Sequence, residues 1–252
     1  MAKKSAVADA HVTQALAVYA GMVERVLSNP ERWLGLDDEP PPSAKFPVRL
    51  VDAVRDRTFG ETTPASAEWG TLPVEKRVEW WTTRIGISAG LAAAAPRFAG
   101  ALADRVPLQA ALGASAAGLA VCATAREHGR TASAEWVPLL AKVLFDREVA
   151  PAQAPVPGPE VSEDKLTEQP EDEHRTSGMV AKLGRGATRA ALTVWKLAGA
   201  FLELQNLLDE RPRGGFLART VAKVPVIGVA GGWLDERGGI RKASRETARL
   251  LG

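Results

Sequence analysis

The sequence predicts an all-α protein, a multi-helix bundle interrupted by a long disordered linker rich in proline and acid. Three observations carry that prediction. Nearly half of the 252 residues are hydrophobic, yet the aliphatic load leans on alanine and only 6% of residues are aromatic. Alanine is the strongest helix former and buries little area, so a core built from it requires close helix–helix approach. Runs of β-branched residues are scarce, while apolar residues recur at helical spacing over long stretches.

Residues 1–70 read as an N-terminal helix followed by an irregular arm. Val12, Ala15, Leu16, Tyr19, Val23 and Val26 share one face of a helix over 11–27, which stops near Ser28-Asn29-Pro30. The turn-rich stretches DDEPPPSAKFP and FGETTPASAEWGTLP follow, with a short helix over 47–57 between them. Residues 71–148 form a helical core. Pro73 and Glu75 mark a helix start, and the run VEKRVEWWTTRIGISAGLAAAA continues it to Pro96. Further helices are expected over 97–104, 107–128 and 133–145, with Gly129 and Pro138 as interruptions.

Residues 149–178 combine four early prolines with a later acidic stretch and keep no hydrophobic periodicity, which defines the linker. Residues 179–252 form a basic C-terminal helical part packing on the core. Its first helix, over 179–208, carries a wide apolar face and only Lys196 as a charge between Arg189 and Glu203. Its last helix is expected from about residue 239 to 251.

Charge is spread unevenly along the chain. Residues 1–150 balance 17 basic against 17 acidic groups, residues 151–178 hold two against seven, and residues 179–252 hold 13 against six. A basic C-terminal quarter favours anionic lipid, nucleic acid or an acidic partner. One cysteine, Cys122, excludes an intramolecular disulfide and a cysteine-based zinc site; its apolar neighbours mark it as a buried small residue. The opening MAKKSAVADAHVTQ has two lysines with no apolar segment behind them, so a secretory signal is not expected and the cytoplasm is the default compartment.

Residues 106–125 carry no charge and have the length of a membrane span. Their strongly apolar residues contribute only about −0.5 kcal/mol each on an insertion scale, against Pro107, Gln109, Ser115, Thr124 and two glycines. A buried helix is the expectation, its small residues admitting a close neighbour.

Candidate chemistry is sparse. The stretch KVPVIGVAGGWLDERGGIRK is rich in glycine but lacks GxxxxGK[ST] and GxGxxG, so no phosphate loop is expected, and residues 225–228 with Gly231 and Gly232 suit a tight corner between helices. REHG at 126–129 reads as a helix end, with His128 near the C-terminal dipole and Gly129 as the cap; Glu127 and His128 as an acid/base pair is the alternative. Asp235 and Glu236 are adjacent, a poor acid/base geometry, and suit the first turn of the last helix. No catalytic residue, cofactor site or metal-ligand spacing is expected. Trp80-Trp81 and Trp233 stand where charged and apolar stretches meet, which suits a core edge or an interface with an apolar phase.

The last helix has Ile240, Ala243, Thr247, Leu250 and Leu251 on one side and Arg241, Lys242, Arg245 and Arg249 mostly on the other, a basic amphipathic pattern. With Trp233 and Arg237 these residues form the expected surface- or partner-binding set. Interleaved aromatics and a recognition-helix motif are missing, which disfavours nucleic acid.

Three stretches together resemble the EcsC-like family of bacterial proteins: GISAGLAAAAPRFAGALADRVP with Asp104 and Pro107, REHG where that family often has Tyr-Gly, and PVIGVAGGWLDERGGIRKASRETA. The resemblance covers about half the chain. It implies a helical protein in a membrane or transport context and transfers no catalytic residue.

The functional expectation is a non-catalytic cytoplasmic protein, peripheral at the membrane, that binds an anionic membrane surface or an apolar protein partner. Two alternatives stand beside it. One is a lipid-binding protein or enzyme with a pocket between helices, and the other is an oligomeric assembly component using its 88–125 helices as a homo-oligomer interface. A surface binder has a basic face beside exposed Trp or Leu, whereas an enzyme gathers titratable groups in one cavity.

Overall fold

The alanine-rich, charge-free run in the middle of the chain becomes the axis around which the other helices pack. The computed structural model describes residues 2–34, 62–94, 106–150, 185–209 and 232–252. They form α1 (Ala2–Ser28), α2 (Pro30–Leu34), a 3₁₀ segment (Ala67–Thr71), α3 (Val74–Ala94), α4 (Val106–Glu127), α5 (Ser133–Phe145), α6 (Arg185–Asp209) and α7 (Gly232–Leu251). Among the described residues there is no strand, so the fold is all-α. The expected helix over 47–57, the segment 97–104, the linker from 151 to 178 and the glycine stretch before Gly232 lie outside the described residues.

α4 touches α1, α3, α5, α6 and α7. From Ala111 to Ala125 every residue except Gly113 is buried, so this stretch of the helix has no solvent face. Small side chains allow five neighbours to approach it. Gly118 shows how closely: a Cβ there would lie 2.8 Å from ring atoms of Tyr19 on α1. The Tyr19 hydroxyl donates to the Ser115 carbonyl at 2.5 Å, and burial pushes its pKa far up, with Cys122 adding to the rise. Burial likewise raises the Cys122 thiol. Between Ala111 and Ala125 the small residues other than Gly113 are therefore covered by the chain's own helices. Among the described residues no helix is long and apolar enough to cross a membrane.

Around this axis each element shows why it starts and stops. α1 turns Leu16, Tyr19, Val23 and Val26 inward, ends at Ser28, and hands over to Asn29, whose side-chain oxygen accepts from the Arg32 N–H at 3.1 Å. Pro30 then occupies the first turn of α2, where its missing N–H costs nothing. α4 ends in a Schellman turn. Gly129, at φ +86, donates to the Arg126 carbonyl at 2.9 Å while Arg130 donates to the Ala125 carbonyl at 2.9 Å.

The bounds 133–145 expected for α5 match those observed, but Pro138 does not interrupt it. Proline removes one hydrogen bond there, and burial of Trp136, Val137, Leu140, Ala141, Leu144 and Phe145 outweighs that loss. Val149, expected to begin the linker, still packs on the core. On α6, Phe201 stacks on Phe145 at 6.2 Å and meets Tyr19 edge-on at 5.7 Å.

α7 begins at Gly232, about two turns before the expected start at 239. The corner expected at 225–228 and 231–232 falls, up to residue 231, outside the described residues, whereas Gly238 and Gly239 lie inside the helix. A Cβ at either would meet nothing within 4 Å, so neither glycine is demanded by packing.

Candidate functional site: the outward face of the last helix

α7 packs on α4, α3 and α5. At 100° per residue, Ile240, Ala243, Ser244 and Thr247 fall on one stripe, and all four are buried. Two hydroxyls help to seat the stripe. Ser244 and Thr124 of α4 share a hydrogen bond at 2.8 Å, and Thr247 donates to the Ala243 carbonyl at 2.8 Å. Only Ile240 is a large, fully enclosed aliphatic side chain on this stripe, so most of the thin apolar face expected from sequence is taken up by the core, Leu250 excepted.

The opposite face carries Arg241, Lys242, Arg245 and Arg249, all exposed. Arg241, Arg245 and Arg249 follow one another at i, i+4 and i+8, about 6 Å apart along the axis. Arg245 Nε donates to the Arg241 carbonyl at 3.3 Å, and Arg249 meets Glu246 at 2.7 Å. Leu250, on the apolar side of the helix near its end, is 44% exposed and is the large hydrophobic side chain left exposed among the described residues. Trp233 and Arg237 lie on the first turns of α7, where only the backbone is described. The structure therefore brings four of the six sequence-predicted residues onto one exposed face.

A second charged group was missed from sequence. Glu127, at the end of α4, is buried, and its carboxylate receives Arg77 Nη1 at 2.9 Å and Trp81 Nε1 at 2.8 Å, both from α3. His128 is exposed instead, so the two do not form an acid/base pair. The reason is angular: consecutive helical residues diverge, and Gly129 turns the chain just past His128. Trp81 also packs edge-to-face with Trp80 at 5.0 Å and with Trp69 at 6.4 Å, which makes these indoles core residues. Glu127 is an anchor for α3, saturated by two donors. Among the described residues, no three of His, Cys, Asp and Glu converge where a metal ion could sit.

No family model, no curated protein and no solved structure matches the chain.

Proposed function

We propose that this chain is a non-catalytic helical protein that docks on an anionic membrane surface through the outward face of α7. The observation that carries the reading is the exposed row of Arg241, Lys242, Arg245 and Arg249 with Leu250 beside it. The same geometry argues against the expected alternative of an apolar protein partner at this helix, because most of the apolar stripe of α7 is already spent on α4. What remains outward is charge and the side chain of Leu250. Each basic residue near an anionic leaflet contributes about 1 kcal/mol, so four of them less one acid supply about 3 kcal/mol at low salt. That attraction is screened within about 10 Å at 0.1 M salt. The EcsC-like resemblance, with its membrane context, points the same way.

The deciding measurement is flotation with anionic and with neutral vesicles at two salt concentrations. Binding is expected only to anionic vesicles and is expected to weaken as salt rises. Replacing Arg241, Lys242 and Arg245 together by Gln should weaken binding about 100-fold, while unfolding free energy changes by less than about 0.5 kcal/mol. Failure to bind anionic vesicles at low salt would overturn the reading. Equal binding to neutral vesicles would assign the contact to apolar residues elsewhere.

A further inference from the structure

Glu246 borders the basic face, between Lys242 and Leu250, and is absent from the buried stripe of Ile240, Ala243, Ser244 and Thr247 that seats the helix on the core. It is the single carboxylate side chain between residues 237 and 252, against five basic residues over the same span. Its Oε2 stands 2.7 Å from Arg249 Nη1, and both side chains are well exposed, 43% and 75%. An exposed pair three residues apart adds little to stability. Among the described residues no carboxylate lies within ion-pair distance of Arg241, Lys242 or Arg245. The face is thus split into a free cationic part and a neutralised end.

We propose that Glu246 is a specificity-determining residue that sets how dense an anionic surface must be before α7 docks on it. This inference rests on the reading of α7 as a membrane-docking face. A carboxylate bordering a cationic patch repels every anionic surface and competes with lipid phosphate or carboxylate for Arg249. Sparse anionic surfaces, which offer one or two charges under the face, are held too weakly to overcome it. Dense ones engage Arg241, Lys242 and Arg245 at once and tolerate one repulsive group. Discrimination therefore comes from a built-in repulsive element as well as from the attractive ones.

The test is a titration of phosphatidylcholine vesicles with rising fractions of phosphatidylserine, read as the fraction needed for half-binding. E246Q should bind about fivefold tighter than the native chain at an intermediate fraction and reach half-binding with less anionic lipid. E246D, which keeps the charge, should match the native chain. E31Q on α2, an element that packs on α1 and α6, changes net charge equally and should shift binding by less than twofold. If E246Q shifts binding no more than E31Q, or E246D behaves as E246Q, position 246 sets no threshold while the docking face itself stands. If neither the native chain nor E246Q binds anionic vesicles at low salt, the docking reading fails and this inference with it.

Discussion

α4 and α7 lie against each other, joined by the Thr124–Ser244 hydrogen bond, yet they use the helix in opposite ways. α4 has no charge between Arg105 and Arg126 and no solvent face from Ala111 to Ala125; from Ile240 onward α7 turns its arginines and Lys242 outward and gives the core only a narrow stripe. Small residues occur in both, with different consequences. On α4 they let helices close in until Gly118 lies under the Tyr19 ring, whereas Gly238 and Gly239 on α7 face open space. Between Ala111 and Ala125 one helix is constrained by neighbours at every position but Gly113, and the other is constrained along one side only. Tolerance to substitution should follow that division.

The sharpest way to break the comparison is to enlarge Gly118. Gly118→Val should cost about 3 kcal/mol, because its Cβ would fall 2.8 Å from the ring of Tyr19, which is itself fully buried. Urea unfolding measures this, and a loss below about 1 kcal/mol would mean that the axis is loosely packed.

Alkaline titration tests the same sealed environment. The folded protein holds the protons of Cys122 and Tyr19 above their ordinary values near 9.0 and 10.0. The unfolded chain releases them at those ordinary values, so it binds fewer protons than the folded chain at high pH. Stability is therefore full below pH 9 and should fall as pH rises, by about 1.4 kcal/mol per unit for each group once its ordinary value is passed. Tyr19→Phe should remove the part that begins near pH 10. A flat stability curve from pH 8 to 11 would contradict the burial of both groups.

Smaller effects are expected on α7. Gly238→Ala should stabilise the protein by about 0.5–1 kcal/mol, since alanine lowers the entropy of the unfolded chain and meets no neighbour. The smallest effect is expected from locking the two helices together. A disulfide between cysteines at 124 and 244, made in a Cys122→Ala background, should leave vesicle binding unchanged, because the proposed docking face already points outward. Loss of binding on oxidation and recovery on reduction would mean that α7 must leave the core to act.

Much of the fold was legible because helices here are delimited by local chemistry. The ends of α4 and α5 follow from charge, Gly129 and the return of apolar periodicity, all visible over a few residues. α7 was started two turns late because glycines and a charge cluster suggest a turn, and tertiary context overrode that propensity. The direction of Arg241, Lys242, Arg245 and Arg249 was readable from their spacing. What the opposite stripe touches was not, because periodicity defines a face and leaves its neighbour unnamed. The partners of Glu127 were beyond reach for the same reason, since Arg77 and Trp81 lie 50 and 46 positions away.

The edge-to-face arrangement of Trp69, Trp80 and Trp81 has an optical consequence. Indole transition dipoles this close and this steeply inclined couple to one another, so the cluster contributes its own circular-dichroism signal in addition to that of the helices. Because Trp81 is hydrogen-bonded to Glu127, that signal reports whether α3 is seated on α4, with no label attached. It should persist when vesicles occupy α7 and disappear when the core opens, separating docking from unfolding in one spectrum.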